Sequence, residues 1–367
     1  MIFRNKEGDE TQDARSSPVP QSPARTADRM LTAEAPARQD TPPPTAAPGA
    51  FRSDQSDEAP PGPTGWTSRE PIIIGKPTAR FEPREVAGEF RRTPYRPDTV
   101  LDGWATGEFC VRGGSVRGYH HRYYGEPRQD DFAIVTRAGG RQIVATVADG
   151  VSEAKQSHIG ATTAVRYASQ WLDQSLGEPT EATDWKSMVQ STAWALVEQA
   201  RAIDRRCTDA AMAEELLATT LVCAVVDAQD DGKFVAHIVH VGDSGAWQLT
   251  ASGYTRLVGG KAEADGGISG SAVSGLPRIP REVQAARVVL AEDDVLLLGT
   301  DGFGDPLGTG GGRVGRLFAE VIRRGEGPTL TEFGHALDFS RETFDDDRTL
   351  VAIWRRPPDS TPSLSRP

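Results

Sequence analysis

Short apolar runs rich in β-branched residues recur along the chain from Phe132 onward, and most of them end at turn-forming residues. Such runs predict β-strands. The first two are separated by Arg137–Arg141, which contains two adjacent glycines, and this pattern predicts a hairpin. The predicted strands are Phe132–Val135, Ile143–Ala148, Thr219–Val226, Phe234–Val241, Ala246–Leu249, Arg287–Leu290, Val295–Leu298 and Thr349–Trp354.

Between these strands, apolar residues recur at a spacing of three to four, which predicts helices that pack by one face. One such pattern follows the N-cap residue Ser157 and ends near Gly177, and a second runs from Met188 to Ile203. Two shorter helical patterns, residues 313–323 and 329–339, lie between the last two strands. Strands joined mostly by short turns, with helices grouped in pairs, predict an α+β domain whose sheets are largely antiparallel.

Proline is concentrated at one end of the chain, because 16 of the 26 prolines precede residue 101. Residues 1–65 are a Pro/Ala-rich stretch that cannot bury enough apolar surface to fold, and we predict a disordered tail there. Residues 66–105 are predicted to be a linker that docks on the following domain through Ile72–Ile74 and Phe81. Residues 106–356 form the predicted folded domain, and residues 357–367 a second disordered tail.

The formal net charge of −11 argues against a nucleic-acid partner, because binding to a phosphate backbone requires a basic surface. Three cysteines without metal-ligand spacing, Cys110, Cys207 and Cys223, are typical of free thiols in a reducing compartment. The sequence contains no apolar run of about 18 residues that could cross a membrane. We therefore expect a cytoplasmic monomer with neither a nucleic-acid nor a membrane partner.

Aspartates stand where the predicted strands begin or end. Asp149 follows the second strand, Asp243 the fourth and Asp301 the seventh, while Asp130 precedes the first strand and Asp346 the last. Hard cations such as Mg²⁺ and Mn²⁺ bind carboxylate and carbonyl oxygens, and a two-metal site needs several carboxylates from separate strands. Taken singly, an Asp-Gly pair is more often a hairpin turn, and an acidic run a solvated loop. Their combination predicts a site for two metal ions.

Six short motifs follow one another on these elements: Gln129-Asp130, Val147–Gly150, Ala218–Thr220, His240–Ser244, Thr300–Gly302 and Asp346–Thr349. In this order they make the sequence resemble the metal-dependent protein phosphatases of type 2C. Further residues from Gly118 to Asp130 and from Ser157 to Ala161 resemble the bacterial branch often found in actinobacteria.

The resemblance implies an α+β fold with a central antiparallel β-sandwich flanked by helices on both faces, four layers in the order α-β-β-α. It also implies that residues 106–356 are a phosphatase catalytic domain, a hydrolase acting on phosphoserine and phosphothreonine in proteins. In that family the attacking water is held between two divalent cations, Mn²⁺ or Mg²⁺. We therefore expect a metal-dependent serine/threonine phosphatase that takes part in signalling.

The same resemblance assigns the candidate catalytic and metal-binding residues. Asp149 would bridge the two cations, and Gly150 would offer its carbonyl oxygen to one of them. Asp301 and Asp346 would complete the ligand set, and Asp130 would lie in it or just behind it. In addition, Asp243 together with Asp301 resembles the pair that holds a third, weaker cation in bacterial members.

Two departures from the family's motifs affect the chemistry. Gln129 replaces a glutamate that often precedes the first aspartate, which weakens a water-mediated metal contact. Val151 stands where the best-known members have a histidine proposed as general acid. His121 and His158 are the candidates for this role, although a structural or exposed histidine is the commoner case for either.

Arg122 and Arg128 are the candidates for the arginine that grips the phosphate, because both lie close to the first motif. The expected partner is a phosphorylated protein, the target of a Ser/Thr kinase. Two alternatives stay open: a serine phosphatase acting on anti-sigma-factor antagonists, and a catalytically weak relative used as a binding module. The presence of Asp149, Asp301 and Asp346 weighs against the second alternative.

Overall fold

The structure is a computed structural model that describes residues 71–79, 83–85, 90, 95, 97–260, 275–323 and 327–356. The chain divides into two compact units, Met1–Trp66 and Thr67–Pro367, and every described residue belongs to the second. The tails predicted at residues 1–65 and 357–367, and Phe81 of the predicted linker, lie outside the described residues. Within the described ranges, no helix combines the length and the apolar character needed to cross a membrane.

The described part of the chain contains eleven strands. They are β1 (Thr99–Ala105), β2 (Phe109–Val116), β3 (Asp130–Arg137), β4 (Gln142–Asp149), β5 (Leu221–Ala228), β6 (Phe234–Val241), β7 (Gly245–Thr250), β8 (Gly253–Val258), β9 (Ala286–Leu290), β10 (Val295–Gly299) and β11 (Arg348–Arg355). One sheet has the order β1-β2-β11-β10-β7-β8 and the other the order β3-β4-β5-β6-β9, and all pairings are antiparallel.

Side chains alternate between the two faces of each strand. Each sheet therefore contributes to two hydrophobic cores, one between the sheets and one under the helices. In β4, Ile143, Ala145 and Val147 point into the core between the sheets, where they meet residues of β10 and β11. Val144 and Ala148 of the same strand point the other way, into a second core under helices. Because successive side chains of a strand face opposite sides, a strand that is apolar throughout is buried on both faces.

The described residues include seven α-helices, six of which cover the outer faces of the sheets. They are α1 (Tyr119–Tyr124), α2 (Ser157–Ser175), α3 (Trp185–Ile203), α4 (Ala210–Leu217), α5 (Asp301–Leu307), α6 (Arg313–Arg323) and α7 (Leu330–Leu337). Helices α2, α3 and α4 pack on the five-stranded sheet, and α5, α6 and α7 pack on the six-stranded sheet. The predicted four-layer sandwich of two antiparallel sheets between helices is therefore confirmed.

Local sequence fixes several helix ends. The Asp184 carboxylate accepts a hydrogen bond from the Ser187 N–H at the start of α3, at 3.0 Å. Thr329 and Glu332 form a capping box at the start of α7. Both devices satisfy backbone N–H groups that have no partner within the helix.

The predicted hairpin between the first two strands is confirmed, with Arg137 of β3 opposite Gln142 of β4. The hydrophobic pattern does not predict β1 and β2, which form one edge of the six-stranded sheet. Strand β1 lies before Thr106, the expected start of the domain, so the sheet begins within the segment interpreted as a linker. Helix α4 and strand β8 are also absent from the predicted elements.

The described part of the linker contacts the domain through Ile74, which is buried against the core beneath α6 and α7. Its N–H donates to the Ser340 carbonyl at 2.9 Å, and the Ser340 N–H donates to the Ile72 carbonyl at 2.8 Å. The Thr78 N–H donates to the Ser340 hydroxyl at 2.9 Å. This segment thus runs beside the chain that leads into the acidic stretch around Asp346.

A substitution in α2 tests the packing of the helical layer on the five-stranded sheet. Leu172 is fully buried in that layer, so Leu172→Ala should lower the free energy of unfolding by about 2–5 kcal/mol, the usual range for a cavity of this kind. Gln170→Ala, at an exposed position of the same helix, should change it by less than about 0.5 kcal/mol. Urea unfolding followed by circular dichroism would measure both, and equal losses would contradict the packing described.

Candidate metal centre

The first two aspartates of the site are brought together by strand pairing. Asp130 begins β3, Asp149 ends β4, and the two are direct partners in the antiparallel register. Partners in such a pair have Cα atoms about 4.5–5.5 Å apart and side chains on the same face. That face is the inner one, since Phe132 and Val147 of the same two strands belong to the core between the sheets.

The carboxylate of Asp130 joins the two sheets. Its Oδ2 accepts hydrogen bonds from the hydroxyls of Thr300 and Thr349, each at 2.8 Å. Thr300 follows β10 and Thr349 lies in β11, both in the opposite sheet. Asp130 is therefore buried and held in one orientation at the acidic end of the sandwich.

The other two predicted ligands follow from the positions of these threonines. Asp301 comes directly after Thr300 and begins α5, and its side chain lies within hydrogen-bonding reach of Asp149. Asp346 precedes Thr349 by three residues in the loop before β11. The negative charges of Asp301 and Asp346 both act on Asp149, so the structure brings all four predicted carboxylates to one place.

A fifth aspartate, Asp347, lies behind the cluster and was not among the predicted site residues. It is almost fully buried. One of its oxygens accepts from the Gly118 N–H at 2.6 Å and the other from the Gln129 N–H at 2.5 Å, and His121 Nδ1 lies 2.8 Å from the first oxygen as an ion-pair partner. Such a carboxylate has its lone pairs directed at protein donors. Asp347 therefore anchors the loop that carries Asp346.

His121 is the partner that balances the charge of Asp347. Burial opposes its protonation, but the carboxylates of Asp347, Asp346 and Glu126 together raise the pKa of His121 to about 9. In turn, burial opposes ionisation of Asp347, while His121 and the backbone N–H groups of Gln129 and Gly118 hold the pKa of Asp347 below its usual value. The two residues form a buried ion pair. Among the described residues, His121, Asp346 and Asp347 are also a trio whose possible ligand atoms lie within 4.8 Å of one another.

Two glycines allow the backbone to close around this loop. A Cβ on Gly118 would lie 2.2 Å from the carbonyl carbon of Asp346, and a Cβ on Gly302 would lie 1.8 Å from the carbonyl oxygen of Asp347. Neither contact is possible for a larger residue. The acidic loop is thus clamped between the turn before α1 and the first turn of α5.

The carboxyl groups of Asp130, Asp149 and Asp346 resist ionisation. Burial, followed by the charges of Asp130, Asp301 and Asp346, raises the pKa of Asp149 well above its usual value. Burial and the charges of Asp347 and Asp346 do the same for Asp130, although its two threonine partners oppose the shift. Loss of solvation and the neighbouring Asp347 and Asp301 raise the pKa of Asp346 to about 6, against the effect of His121. The Asp346 side chain is still 52% exposed, so it remains accessible from solvent.

This donor set fits divalent cations. Oxygen ligands from carboxylates suit hard ions such as Mg²⁺ and Mn²⁺. Burial and, after it, mutual repulsion raise the pKa values of Asp130, Asp149 and Asp346, and a cation placed between the carboxylates would offset both. The Gly150 N–H donates to the Gln129 carbonyl at 3.1 Å, and Gly150 follows Asp149 at the edge of the cluster.

The remaining predicted residues lie around the cluster in different settings. Arg122 is paired with Asp338 at 2.9 Å and Asp98 at 3.4 Å. Arg128 is buried, and its guanidinium contacts the hydroxyl of Ser115 and the carbonyl of Asp130. A phosphate-gripping role for either arginine stays a prediction.

The second histidine candidate and the third-cation candidate occupy the ends of their elements. His158 lies in the first turn of α2, and its ring centroid is 5.6 Å from that of Phe90, edge to face. Asp243 lies in the turn after β6, where its carbonyl accepts from the Gly260 N–H at 2.9 Å. The roles predicted for both residues also stay predictions.

The structure thus combines a two-sheet sandwich between helices with a cluster of carboxylates at one end, a set of oxygen ligands suited to hard cations. Residues 117–336, more than half of the chain, match the family model described as Protein phosphatase 2C. The chain therefore belongs to the protein phosphatase 2C family, as its motifs suggested, and it is a phosphoprotein phosphatase. No curated protein matches it.

Solved structures with some similarity include three phosphatases. They are RsbX in complex with magnesium (12% identical, TM-score 0.45, covering 70% of this chain and 100% of that one), a phosphatase from Toxoplasma gondii (14%, 0.49, 70% and 96%) and the serine/threonine phosphatase Stp1 from Staphylococcus aureus (16%, 0.46, 67% and 94%). These similarities are weak, and the family assignment rests on the sequence match.

The raised pKa values predict how cation binding depends on pH. Protons compete with a cation for carboxylates such as Asp346, whose pKa is about 6. Mn²⁺ should therefore raise the melting temperature more at about pH 7.5, where these groups can ionise, than at about pH 5.5, where they hold protons. Differential scanning calorimetry with and without Mn²⁺ measures both shifts, and Asp301→Asn should reduce the larger one. Equal shifts at the two pH values would contradict the metal site.

Proposed function

We propose that this phosphatase hydrolyses phosphoserine and phosphothreonine in proteins with the help of two divalent cations, Mg²⁺ or Mn²⁺. One observation supports the proposal above all others: the half-buried carboxyl of Asp149 lies within hydrogen-bonding reach of Asp301 and is affected by the charges of Asp130 and Asp346. Carboxylates contributed by both sheets thus meet at one point, an arrangement that favours hard cations.

In this proposal each residue of the cluster has a distinct part. Asp149 would bridge the cations, with Asp301, Asp346 and the Gly150 carbonyl as further ligands. Asp130, held by two threonine hydroxyls, would orient the cluster from behind. When bound, the cations lower the pKa of a water molecule and offset the negative charge of the phosphate under attack.

The surroundings of His121 support a positioning role for it. A general acid must reach the oxygen of the leaving group, whereas His121 is 3% exposed and forms an ion pair with the buried carboxylate of Asp347. We propose that His121 fixes the loop of Asp346 through Asp347. Protonation of the leaving group would then fall to His158 or to solvent water.

The substrate follows from the reaction class. We propose a protein phosphorylated by a Ser/Thr kinase, and the antagonist of an anti-sigma factor would be one protein of that kind. None of the contacts described above favours one phosphoprotein over another, so the proposal names the phosphorylated residue and not its protein.

Removal of one ligand tests the proposed chemistry. Asp301→Asn replaces a carboxylate with a neutral amide, a poor ligand for a hard cation. Loss of a residue that only hydrogen-bonds to a metal ligand typically lowers activity about 10–100-fold. Loss of a ligand itself should lower the rate of p-nitrophenyl phosphate hydrolysis by more than that. Chelator should abolish the wild-type rate, and Mn²⁺ should restore it. Asp305→Asn, one turn further along α5 on an exposed position, is the matched control and should keep most of the rate. If the wild-type rate is unchanged in the presence of chelator, the proposal is wrong.

Asp243 tests the proposed third cation. If Asp243 and Asp301 share a weak cation, Asp243→Ala should raise the Mn²⁺ concentration needed for half-maximal activity and lower the saturated rate, because one carboxylate of that site is gone. If Asp243 serves only its turn, the loss should instead be one of stability, on the order of 1 kcal/mol. Titration of activity with Mn²⁺ and thermal unfolding of the same variant separate the two outcomes.

A further inference from the structure

A cavity of about 520 Å³ lies on the outer face of the five-stranded sheet, far from the metal centre. Its floor is formed by Gln142 at the start of β4 and Asp227 near the end of β5, and its wall by the chain between α2 and α3. Strand β4 runs from Gln142 to Asp149, and seven residues of strand span about 24 Å. The volume falls within the range of about 300–1,000 Å³ typical of small-molecule sites.

A buried histidine in β6 lines this cavity without a hydrogen bond. His237 is 3% exposed, and neither ring nitrogen has a hydrogen-bonding partner in the described protein. Its Nε2 lies 3.4 Å from Glu181 Oε1, and its Nδ1 lies 3.9 Å from Asp227 Oδ2. A buried polar group without a partner is unusual and costs free energy.

The positions of the two carboxylates show which hydrogen-bonding groups are missing around the His237 ring. A neutral imidazole has one N–H and one lone pair, so in either tautomer a lone pair faces a carboxylate oxygen, acceptor against acceptor. Protonation of His237 would supply two N–H groups, but both distances exceed the about 2.7–3.2 Å of a normal hydrogen bond. A ligand that donates from a positively charged group would satisfy the ring and the carboxylates together.

The charges around the cavity favour the same kind of ligand. Glu178, Glu181 and Asp227 line it, together with Arg137 and Arg287. Both arginines already have anionic partners, because Arg137 donates to Asp173 at 3.1 Å and Arg287 donates to Glu181 at 3.3 Å. With the Arg287–Glu181 pair neutral and Arg137 paired with Asp173, the lining keeps the carboxylates of Glu178 and Asp227 as its net charge, which disfavours an anion.

A metal ion is a weaker fit than an organic cation. The described residues that could jointly hold a metal through three His, Cys, Asp or Glu ligands are those at the metal centre. At the cavity, His237 and Glu181 offer two close ligand atoms, fewer than the three or four protein ligands of typical zinc sites. The cavity also has room for an organic molecule.

We propose that this cavity binds a small organic cation, a molecule with a guanidinium or ammonium group that donates to His237, Glu181 and Asp227. The nature of this ligand does not depend on the proposed phosphatase mechanism. Strand β4 and helix α2 both run from the cavity to the metal centre. Binding of a small molecule at the cavity could therefore affect the catalytic end of the domain through these two elements.

A matched pair of probes tests the proposal on the full-length protein: butylguanidinium, which is charged, and butylurea, its neutral counterpart of similar shape. The protein carries ¹⁵N-labelled histidine and is saturated with Mg²⁺, so that the acidic cluster is not available to the probe. The chain has six histidines, and His237→Ala identifies the signal of His237. Butylguanidinium should shift that signal in a saturable way, and butylurea should leave it unchanged.

Two further variants locate the binding. Asp227→Asn should weaken butylguanidinium binding by about ten-fold or more, the effect of losing one charge-assisted hydrogen bond. Asp231→Asn, an exposed residue paired with Lys233 in the next turn, should leave the affinity unchanged, and thermal unfolding verifies that both variants are folded. Equal shifts with butylurea, no saturable shift, or full affinity in Asp227→Asn would overturn the proposal. Binding of Zn²⁺ that disappears in His237→Ala, without binding of butylguanidinium, would replace the organic cation with a metal and would also overturn it.

Discussion

The hydrogen bonds of one buried carboxylate determine where the acidic end of this domain is built. Asp130 belongs to one sheet, and its Oδ2 accepts from Thr300 and Thr349 of the other. Because both threonines are fixed by that oxygen, the residues next to them in sequence are fixed as well. Asp301 follows one threonine, and Asp346 precedes the other by three residues. The position of the metal centre therefore depends on how the two sheets are joined at this end.

The same arrangement is electrostatically unfavourable without counter-charges. Asp130 is buried and Asp149 half-buried beside other carboxylates, and loss of solvation together with these neighbours raises the pKa of each. Hydrogen bonds from two hydroxyls offset only part of the desolvation of a buried carboxylate. A cation bound between the carboxylates would stabilise the folded structure as well as serve the chemistry, which is why its binding should be visible in stability as well as in rate.

The sequence, with the family resemblance of its motifs, was sufficient for the four-layer fold and for bringing Asp130, Asp149, Asp301 and Asp346 to one place, because each of these residues adjoins a strong strand signal; their roles as ligands stay predictions. Asp347 was missed for a physical reason. Its partners Gly118 and Gln129 lie 229 and 218 residues away in sequence, and both donate from backbone N–H groups, which no residue pattern reveals. Only its position within an acidic run hinted at a role.

Strand β2 shows a similar limit. It contains Gly113 and Gly114, which weaken the strand signal. In the fold, a Cβ on Gly113 would lie 2.3 Å from the ring of Phe132, and one on Gly114 would lie 2.6 Å from a methyl group of Leu337. The space that these glycines leave is filled from β3 on one side and from α7 on the other. Glycine is required at these two positions because of the side chains that pack against them. The sequence at these positions therefore gives little information about their secondary structure.

The balance of charge at the metal centre bears on the role of His121. Asp347 is paired with His121 at 2.8 Å, and the same ring lies 3.9 Å from Asp346. Asp131, the neighbour of Asp130, lies 3.6 Å from Arg128. The raised pKa values of Asp130 and Asp149 show that protein groups do not fully offset the burial and mutual repulsion of these carboxyls, and divalent cations would offset both. A buried histidine with a raised pKa therefore serves the site better as the counter-charge of this loop than as a proton donor.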